Sequence, residues 1–395
     1  MDFELSTEQQ RLEREIYDYL GGLMTPELEE ELRVLPEGGS AEEAPRYNEF
    51  VRRLGKDRWL GIGWPKEYGG RGLGPIEQYM FLDAVIGYYG VPIPVLSLQT
   101  VGPALMQEGT PEQKERFLPP ILTGELNIGI GYTEAGAGSD LASLKTTAVR
   151  DGDHYIINGQ KVFTTLAHFC DYIWLAARTD PTAKKHKGIS IFMVDTKSPG
   201  YKAEPLHCMG RFRTNFTYYE DVRVPADCLI GKENRGWHYI NHQLAMERLS
   251  IVPHSKTRRA IEEMIQWAKQ VRLDGVPVIE KPWVRTGLAE LVRDGEVERL
   301  FNYRVAWQVS QGVIPHAEAS MVKIFGSELL QRVFGFACKM MGLLGQIEAG
   351  SERVPVGGML AREFLSNVIY TFGGGANEVL RDVIALAALG MPRSR

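Results

Sequence analysis

The stretch DGDHYIING, Asp151–Gly159, decides the fold class of the middle of this 395-residue chain. Its first three residues favour a tight turn, and the following aromatic and β-branched residues favour a strand. Two further runs of the same kind follow at Tyr172–Leu175 and Ile189–Val194. This character begins near Ile128 and ends near Pro225. The centre of the chain is therefore predicted to be a β domain.

Helical patterns flank the β domain on both sides. STEQ at Ser6–Gln9 is typical of a capping box, and apolar residues then recur at helical spacing. After the β domain the helical period returns in long segments, 258–271, 288–312 and 317–344. We predict a mainly α protein with a central β domain, divided into a helical domain (1–125), a β domain (126–235) and a C-terminal helical domain (236–395).

The composition excludes several functional classes. A net charge of −5 and a pI of about 6.0 lack the basic excess of a nucleic-acid binder. The four cysteines show no Cys-x-x-Cys spacing, so they do not indicate a zinc cluster. His238 and His242 are spaced like two metal ligands on a helix, but the glutamate of a zinc-protease motif and a third ligand are both missing. No metal site is therefore predicted. The acidic start of the chain and the lack of an apolar run of about twenty residues predict a cytoplasmic protein without a membrane span.

Two glycine-rich elements could hold an anionic or planar cofactor, because glycine lets backbone N–H groups approach a ligand closely. They are GAGSD at Gly136–Asp140 and GGG at Gly373–Gly375. Neither matches a Rossmann or Walker pattern. On local sequence alone, a pair of tight turns explains them at least as well.

Glu247 is the carboxylate that the sequence singles out. It lies three residues after Leu244 and four before Ile251, on a predicted helical face that also carries Trp237 and Ile240. We expect this face to be buried, and burial would raise the pKa of Glu247 and make it a stronger base. The neighbouring Arg248 is rotated about 100° away, so it cannot neutralise Glu247 locally. A buried glutamate paired with an arginine of another helix remains the alternative.

Several segments, in the same order along the chain, resemble the acyl-CoA dehydrogenase family. They are WPKEYGG (Trp64–Gly70), GTPEQK (Gly109–Lys114), YTEAGAGSD (Tyr132–Asp140), INGQK (Ile157–Lys161), VRVP (Val222–Pro225) with Gly231 following, and NEVLRD (Asn377–Asp382). The resemblance extends over nearly the whole chain. It implies that family's fold: a helical N-domain, a β-barrel middle domain and a four-helix-bundle C-domain.

The resemblance also implies FAD as cofactor. The residues that it assigns to the flavin and thioester cleft are Ile130, Tyr132, Thr133, Gly138 and Ser139, with Glu378 added to the cofactor-binding set. Phe163 stands in the position of an aromatic residue that stacks on the flavin. Thr165 takes the position of a hydroxyl near flavin N5, where a donor stabilises developing negative charge.

The position of the catalytic base departs from the commoner pattern of the family. Most members keep the base late in the chain within Tyr-Glu-Gly-Thr, where this chain has Gly373 and Gly374. A minority, including isovaleryl-CoA and long-chain acyl-CoA dehydrogenases, carry the base in a Leu-Glu-Arg-Leu-like helix, matched here by Met246–Leu249. The resemblance thus implies that Glu247 removes the substrate α-proton while hydride passes from the β-carbon to flavin N5, giving the trans-2-enoyl-CoA.

The substrate predictions follow from the same comparison. The resemblance implies that the N–H of Gly374 still binds the thioester carbonyl, and Ser139, Arg248 and Gly375 are assigned to the substrate with it. Two glycines in place of Tyr and Glu remove side-chain volume beside the reacting carbons. A bulky acyl group is therefore expected, with a steroid side chain as one example.

Two motifs that complete a neighbouring subunit's FAD site in this family are degraded. The corresponding stretches read VRLDG (Val271–Gly275) and KMMGLLG (Lys339–Gly345), so Asp274 replaces an aromatic ring and Leu343 replaces a glycine. We expect a second, related subunit to supply these motifs, as in the α2β2 bacterial dehydrogenases of steroid side chains.

An electron-transfer flavoprotein or a similar acceptor would reoxidise the flavin. A non-catalytic subunit that supports an active paralogue and an acyl-CoA oxidase remain the alternatives.

Overall fold

A computed structural model describes residues 4–34, 44–247, 252–313, 315–347, 351 and 353–392, with backbone only at 33–34, 211, 245–247 and 357. The chain begins with helices. They are α1 (Thr7–Leu23), α2 (Pro26–Val34), α3 (Pro45–Lys56), α4 (Pro75–Leu82), α5 (Gly102–Glu108) and α6 (Pro111–Leu122). The predicted capping box is present, since Ser6 Oγ accepts from Gln9 N at 3.2 Å and Gln9 Oε1 accepts from Ser6 N at 3.1 Å.

Two π-helical turns interrupt this helical region, at Asp83–Tyr88 directly after α4 and at Leu96–Val101 directly before α5. A π turn widens the helix locally and is often found at functional sites. The second turn is tied to the sheet, because the backbone N–H of Ile128 donates to Ser97 Oγ at 2.9 Å. It therefore lies at the boundary between the helices and the β domain.

Among the described residues, eight strands form the central mixed sheet. They are β1 (Ile128–Gly131), β2 (Thr147–Asp151), β3 (His154–Lys161), β4 (Tyr172–Arg178), β5 (Ile189–Asp195), β6 (Tyr201–His207), β7 (Arg213–Pro225) and β8 (Leu229–Ile230). Their order is β6-β7-β3-β2-β4-β5-β8, and β1 pairs in parallel with β4. The three strands that the sequence predicts lie within β3, β4 and β5, which confirms them.

The C-terminal part returns to helix, as predicted. Its helices are α7 (Gly236–Glu247), α8 (His254–Gln270), α9 (Pro282–Ser310), α10 (His316–Met341), α11 (Met359–Ser366) and α12 (Asn377–Ala387). Between α8 and α9 lies a small hairpin of β9 (Arg272–Leu273) and β10 (Val276–Pro277). Helix α10 packs against α8, α9 and α12, so these four helices form a bundle. None of the described helices is both long enough and apolar enough to cross a bilayer.

The buried apolar side chains form two clusters. One runs without a break from α1 through the sheet and includes Tyr239 and Ile240 of α7. The other lies within α8, α9, α10 and α11. Helix α7 is thus packed with the sheet rather than with the helical bundle that follows it, and this brings the end of α7 close to the strands.

Candidate functional site

Strand β1 carries the first predicted cleft residues, and its glycines let it lie close to β4. A Cβ atom at Gly131 would stand 2.9 Å from Ile173 Cγ2 and 3.0 Å from Leu175 Cδ1, closer than side chains tolerate. Ile130 lies between the two buried glycines of this strand and is only half-buried. The close packing on one face therefore leaves Ile130 at the accessible side of the strand.

A buried ion pair fixes the segment that follows β1. Lys161 Nζ donates to Glu134 Oε1 at 2.8 Å and to the carbonyl of Tyr132 at 3.1 Å. Burial lowers the pKa of Lys161 to about 8, although the carboxylate of Glu134 opposes this shift. Burial also disfavours the charge on Glu134, but Lys161 and the hydroxyl and N–H of Thr146 hold the pKa of Glu134 below its usual value. The backbone of Tyr132 and Thr133 is therefore held rigidly beside β3.

The turn after β3 brings Phe163 and Thr165 to the same place. The N–H of Val162 donates to the carbonyl of Thr133 at 2.9 Å. A Cβ atom at Gly129 of β1 would lie 3.3 Å from the carbonyl oxygen of Thr165, so that backbone also lies directly beside β1. The structure thus brings together Ile130, Tyr132, Thr133, Phe163 and Thr165, as the sequence predicts for one wall of a cleft.

Phe163 is presented to the outside of this wall. Its backbone is in the left-handed region, with φ of +61°, and 59% of its surface is exposed. A left-handed non-glycine residue is strained, and an aromatic ring held outside a core by such strain commonly serves binding. The neighbouring Thr164 anchors the turn, because its N–H donates to the carbonyl of Asn215 at 3.0 Å and Asn215 Nδ2 donates to its carbonyl at 3.0 Å.

The first glycine-rich element lies beside this wall and leaves space for a ligand. A Cβ atom at Gly136 would meet no atom within 4 Å, and one at Gly138 would meet only Thr133 Cγ2 at 4.0 Å. Gly138 and Ser139 are exposed. An open backbone next to an exposed aromatic ring fits a planar cofactor with a polar tail, so these residues are compatible with FAD.

Helix α7 is joined to the same wall through side chains. The hydroxyl of Tyr132 donates to Gln243 Oε1 and accepts from Trp174 Nε1 at 2.9 Å. All three side chains are buried, and Gln243 Nε2 has no hydrogen-bond partner within the described part of the chain. Glu247, the last residue of α7, follows Gln243 by one helical turn. The backbone of the predicted base therefore lies one turn beyond a residue that contacts the cleft wall.

The predicted apolar face of α7 needs a correction. Its buried positions are Gly236, Tyr239, Ile240 and Gln243, whereas Trp237 and Leu244 are only half-buried. The ring of Trp237 packs against the ring of His186, with centroids 4.7 Å apart. The buried face is rotated because the sheet accommodates small and polar residues of α7 as well as apolar ones. Glu247 follows Ile240 by seven residues and Gln243 by four; its side chain, like Arg248 and Ile251, lies outside what the structure describes.

The second glycine-rich element belongs to the C-terminal helices. Gly374 and Gly375 have φ of +67° and +109°, which only glycine adopts readily. Lys323 of α10 is fully buried and donates to the carbonyl of Gly375 at 2.6 Å and to Asn377 Oδ1 at 2.9 Å. The loop is thus fixed to α10. Glu378 is exposed in the first turn of α12, the helix that follows this loop.

Sequence reasoning missed three supporting residues. They are Gln243, which holds α7 to the wall, Lys323, which holds the loop of Gly373–Gly375, and Lys161, which holds the segment after β1. A signal was present for two of them, since Lys323 interrupts an apolar helical stretch and Lys161 ends the INGQK motif. Gln243 gave no signal, because its partner Tyr132 lies far away in the sequence.

Family models match three successive parts of the chain. The acyl-CoA dehydrogenase N-terminal domain matches residues 8–125, the middle domain matches residues 129–222 and the C-terminal domain matches residues 234–389. The curated protein acyl-CoA dehydrogenase FadE29 of Mycobacterium tuberculosis is 46% identical over 395 residues, which is 100% of this chain and 99% of that protein.

Two solved structures resemble the whole chain. The structure described as "Tcur3481-Tcur3483 steroid ACAD" aligns with a TM-score of 0.92 and 41% identity, covering 100% of both chains. The ChsE4-ChsE5 complex from Mycobacterium tuberculosis aligns with a TM-score of 0.91 and 41% identity, also covering 100% of both chains.

Proposed function

Because the chain belongs to the acyl-CoA dehydrogenase family, whose members are FAD-dependent oxidoreductases acting on CH–CH donors, we propose that it oxidises a bulky acyl-CoA with Glu247 as base. The product is the trans-2-enoyl-CoA. The observation that carries this proposal is the contact between Gln243 of α7 and Tyr132 at the end of β1. It ties the helix that ends at Glu247 to the wall that carries Thr133, Phe163 and Thr165.

The residues of this wall would hold the flavin. Phe163 offers an exposed ring face, Thr165 a hydroxyl, and Gly136 and Gly138 an open backbone for the polar part of the cofactor. Bound FAD supplies the acceptor for the hydride that leaves the β-carbon of the substrate. The buried pair Lys161–Glu134 stabilises the loop that carries these groups.

The proton is handled by the protein itself. Glu247 removes it from the α-carbon of the thioester, and the N–H of Gly374 donates to the thioester carbonyl, which makes that proton more acidic. The contact of Lys323 with Gly375 fixes the loop of this N–H donor. A carbonyl held by a preorganised donor costs little reorganisation when negative charge develops on its oxygen.

The substrate is proposed to carry a bulky ring system next to a short acyl chain. Gly373 and Gly374 leave no side chains beyond the backbone at the positions where other family members have Tyr and Glu. One similar structure is described as a steroid acyl-CoA dehydrogenase. We therefore place this enzyme in lipid β-oxidation, with a steroid side-chain thioester as the preferred class.

The active assembly is proposed to contain a second, related subunit. Both similar structures carry paired names, Tcur3481-Tcur3483 and ChsE4-ChsE5. In this chain Leu343 is 84% exposed and Asp274 takes a left-handed conformation with φ of +54°, at the two stretches where the usual FAD-completing motifs are degraded. A partner with intact motifs would complete the FAD site, and an electron-transfer flavoprotein or a similar acceptor would receive the electrons.

The test uses the chain co-expressed with a second, related acyl-CoA dehydrogenase subunit. Visible flavin absorbance reports FAD, and loss of that absorbance on adding a steroid side-chain acyl-CoA reports dehydrogenation. Glu247→Gln keeps the side-chain volume and should retain the flavin while lowering turnover by at least about 10²-fold. Turnover close to wild type in this variant would remove Glu247 from the mechanism.

The lone chain provides a second measurement. If the partner completes the FAD site, the chain purified alone should retain little flavin, and adding the partner should restore it. Full and stable FAD in the lone chain would refute the assembly proposal.

A non-catalytic role is the second candidate, favoured by the missing late glutamate. It predicts that Glu247→Gln leaves the turnover of the assembly unchanged. The two functions therefore give opposite results in the same experiment.

A further inference from the structure

Gln243 of α7 carries a buried amide of which only the oxygen is paired. The residue is 1% exposed, and its Oε1 accepts from the hydroxyl of Tyr132. Its Nε2 has almost no accessible surface and no hydrogen-bond partner within the described part of the chain. Buried polar groups of native proteins are nearly always paired, because an unpaired buried N–H group costs free energy. The NH₂ group of Gln243 therefore needs an acceptor.

Trp174 fixes the direction in which this amide is turned. The indole Nε1 of Trp174 can only donate, and it donates to the hydroxyl of Tyr132 at 2.9 Å. The hydroxyl thus donates its own proton to the amide oxygen of Gln243. The NH₂ group is thereby turned away from Tyr132, and its two N–H donors face another part of the protein.

The missing acceptor must belong to the chain itself. Because Nε2 is sealed from solvent, neither water nor a ligand in the cleft reaches it. The side chains that follow Leu244 on α7 belong to Ala245, Met246 and Glu247. Of these three, only Glu247 has a strong hydrogen-bond acceptor.

Helix geometry places Glu247 within reach of this amide. Gln243 and Glu247 are four residues apart on α7, and residues at this spacing lie one above the other on the same helical face. Side chains of a helix lean toward its N-terminus, so each covers the turn before its own Cα atom. A carboxylate four residues after a glutamine can therefore accept from the NH₂ group of that glutamine.

We propose that Gln243 is a positioning residue for the base, whose NH₂ group donates to the carboxylate of Glu247 while its oxygen accepts from Tyr132. This inference rests on the proposed dehydrogenation and adds a residue that acts through Glu247. A donor at the carboxylate restricts its rotamers and stabilises the ionised form, which is the form that removes a proton. The same amide is bonded to the wall proposed to hold the flavin, so one side chain sets the base relative to the hydride acceptor.

Other ionisable groups lie around α7 and bear on any pH dependence. His238 is exposed and His242 is half-buried. Burial lowers the pKa of His242, His238 and His316 act in the same direction, and Glu108 of α5 opposes them. Of the other elements packed against α7, the second π turn carries no charged side chain and β5 ends at Asp195. A substitution of the amide leaves all of these groups in place.

The test is the pH dependence of kcat/KM in the FAD-loaded assembly, followed with one bulky acyl-CoA by the loss of flavin absorbance. Gln243→Met removes the donor, so the ionised base loses a hydrogen bond and the apparent pKa of the acid limb should rise by about one unit. At a pH below this limb, kcat/KM should then be about tenfold lower than in the wild type.

The matched control is Gln113→Met, at a buried glutamine of α6. The amide of Gln113 donates to the carbonyls of Asp227 and Leu229, and 5% of the residue is exposed. This variant also loses buried hydrogen bonds, so its thermal stability should fall. Its acid limb should stay where the wild type has it, because a purely structural loss does not change the ionisation of the base.

A second measurement needs neither a variant nor turnover. An experimental structure of the FAD-loaded wild-type assembly should place Nε2 of Gln243 within about 3.2 Å of a carboxyl oxygen of Glu247. A wild-type acid limb in Gln243→Met, or a separation beyond hydrogen-bond distance in that structure, overturns the inference. The structure decides as well if the variant does not bind FAD. If Glu247→Gln keeps wild-type turnover, it is the proposed function that fails, whether or not the contact is found.

Discussion

Lys323 Nζ lies 2.6 Å from the carbonyl oxygen of Gly375, and no part of the lysine is exposed. Replacement by methionine would remove the lysine donor from this carbonyl and from Asn377 Oδ1, which would keep only the long contact with Ser327 Oγ at 3.5 Å. We predict that Lys323→Met lowers the free energy of unfolding by about 1–3 kcal/mol and also lowers kcat, because the loop of Gly374 loses its anchor. Thermal unfolding and flavin reduction measure the two effects. Lys269→Met makes the same change at an exposed lysine of α8 and should alter neither.

Gly374 and Gly373 should respond differently to the same added methyl group. Alanine at Gly374 must adopt φ near +67°, which costs about 1 kcal/mol or more and shifts the N–H proposed to bind the thioester. A Cβ atom at Gly373 would lie 3.1 Å from the carbonyl oxygen of Ile369, a tight contact, and at ordinary contact distance from Ile369 Cγ1 at 3.8 Å. We expect a marked loss of kcat in Gly374→Ala and a small change in Gly373→Ala, measured with one bulky acyl-CoA. Equal losses would argue that the N–H of Gly374 has no special role.

Burial raises the pKa of Glu298 to about 7, although Thr257 and His254 act in the opposite direction. Neither carboxyl oxygen has a hydrogen-bond partner within the described residues. The folded protein therefore keeps a proton that the unfolded chain loses near its ordinary carboxyl pKa. Protonated Glu298 therefore contributes its full stabilisation below the carboxyl pKa of the unfolded chain, and this contribution is lost as the pH rises through about 7.

Glu298→Gln should remove this pH dependence. Above pH 7 the variant is expected to avoid a destabilisation of up to about 3 kcal/mol, as measured by denaturant unfolding between pH 5 and pH 8. Glu296→Gln, at an exposed position of the same helix, should unfold with the pH profile of the wild type. A wild-type profile for Glu298→Gln as well would show that this carboxyl group does not titrate in the range.

Phe163 should be needed for FAD binding but should contribute little to the free energy of unfolding. Because 59% of its surface is exposed, Phe163→Leu is predicted to change the free energy of unfolding of the apoprotein by no more than about 0.5 kcal/mol. The aliphatic side chain lacks the ring face, so the purified assembly should retain less FAD. Phe364→Leu, at a 48% exposed phenylalanine of α11, provides the control with unchanged flavin content.

The fold class followed from local periodicity, and the strands that were missed have a physical reason. Tyr201–His207 and Arg213–Pro225 form β6 and β7 although polar residues dominate parts of both. β6 is an edge strand with no fully buried residue, and β7 lies between β6 and β3 but buries the polar side chains of Thr214, Asn215 and Thr217, so neither shows a clear apolar alternation. The long helices α8, α9 and α10 were predicted because each carries an apolar face over many turns; α10 was placed within three residues at both ends, whereas α8 and α9 begin four and six residues before the predicted starts.

The candidate site was predictable only in part for a different reason. Tyr132, Thr133, Phe163 and Thr165 lie on two short segments that the structure brings together, as expected. The supports depend on pairs that are distant in sequence, such as Lys323 with Gly375 and Tyr132 with Gln243. Such pairs leave no periodic signal, so a single sequence cannot show them. The roles of Glu247 and the other site residues remain predictions.

The π turn at Leu96–Val101 carries a consequence for how such an enzyme could diverge. It holds Ser97 against the sheet and directs Gln99 toward residues of α4 and α9 within a single turn. Removing one residue there would restore ordinary α-helical spacing and rotate the residues on one side by about 100° relative to the other. A one-residue deletion, rather than a gradual series of substitutions, is then enough to turn Gln99 away from α4 and α9 while Ser97 keeps its place at the sheet.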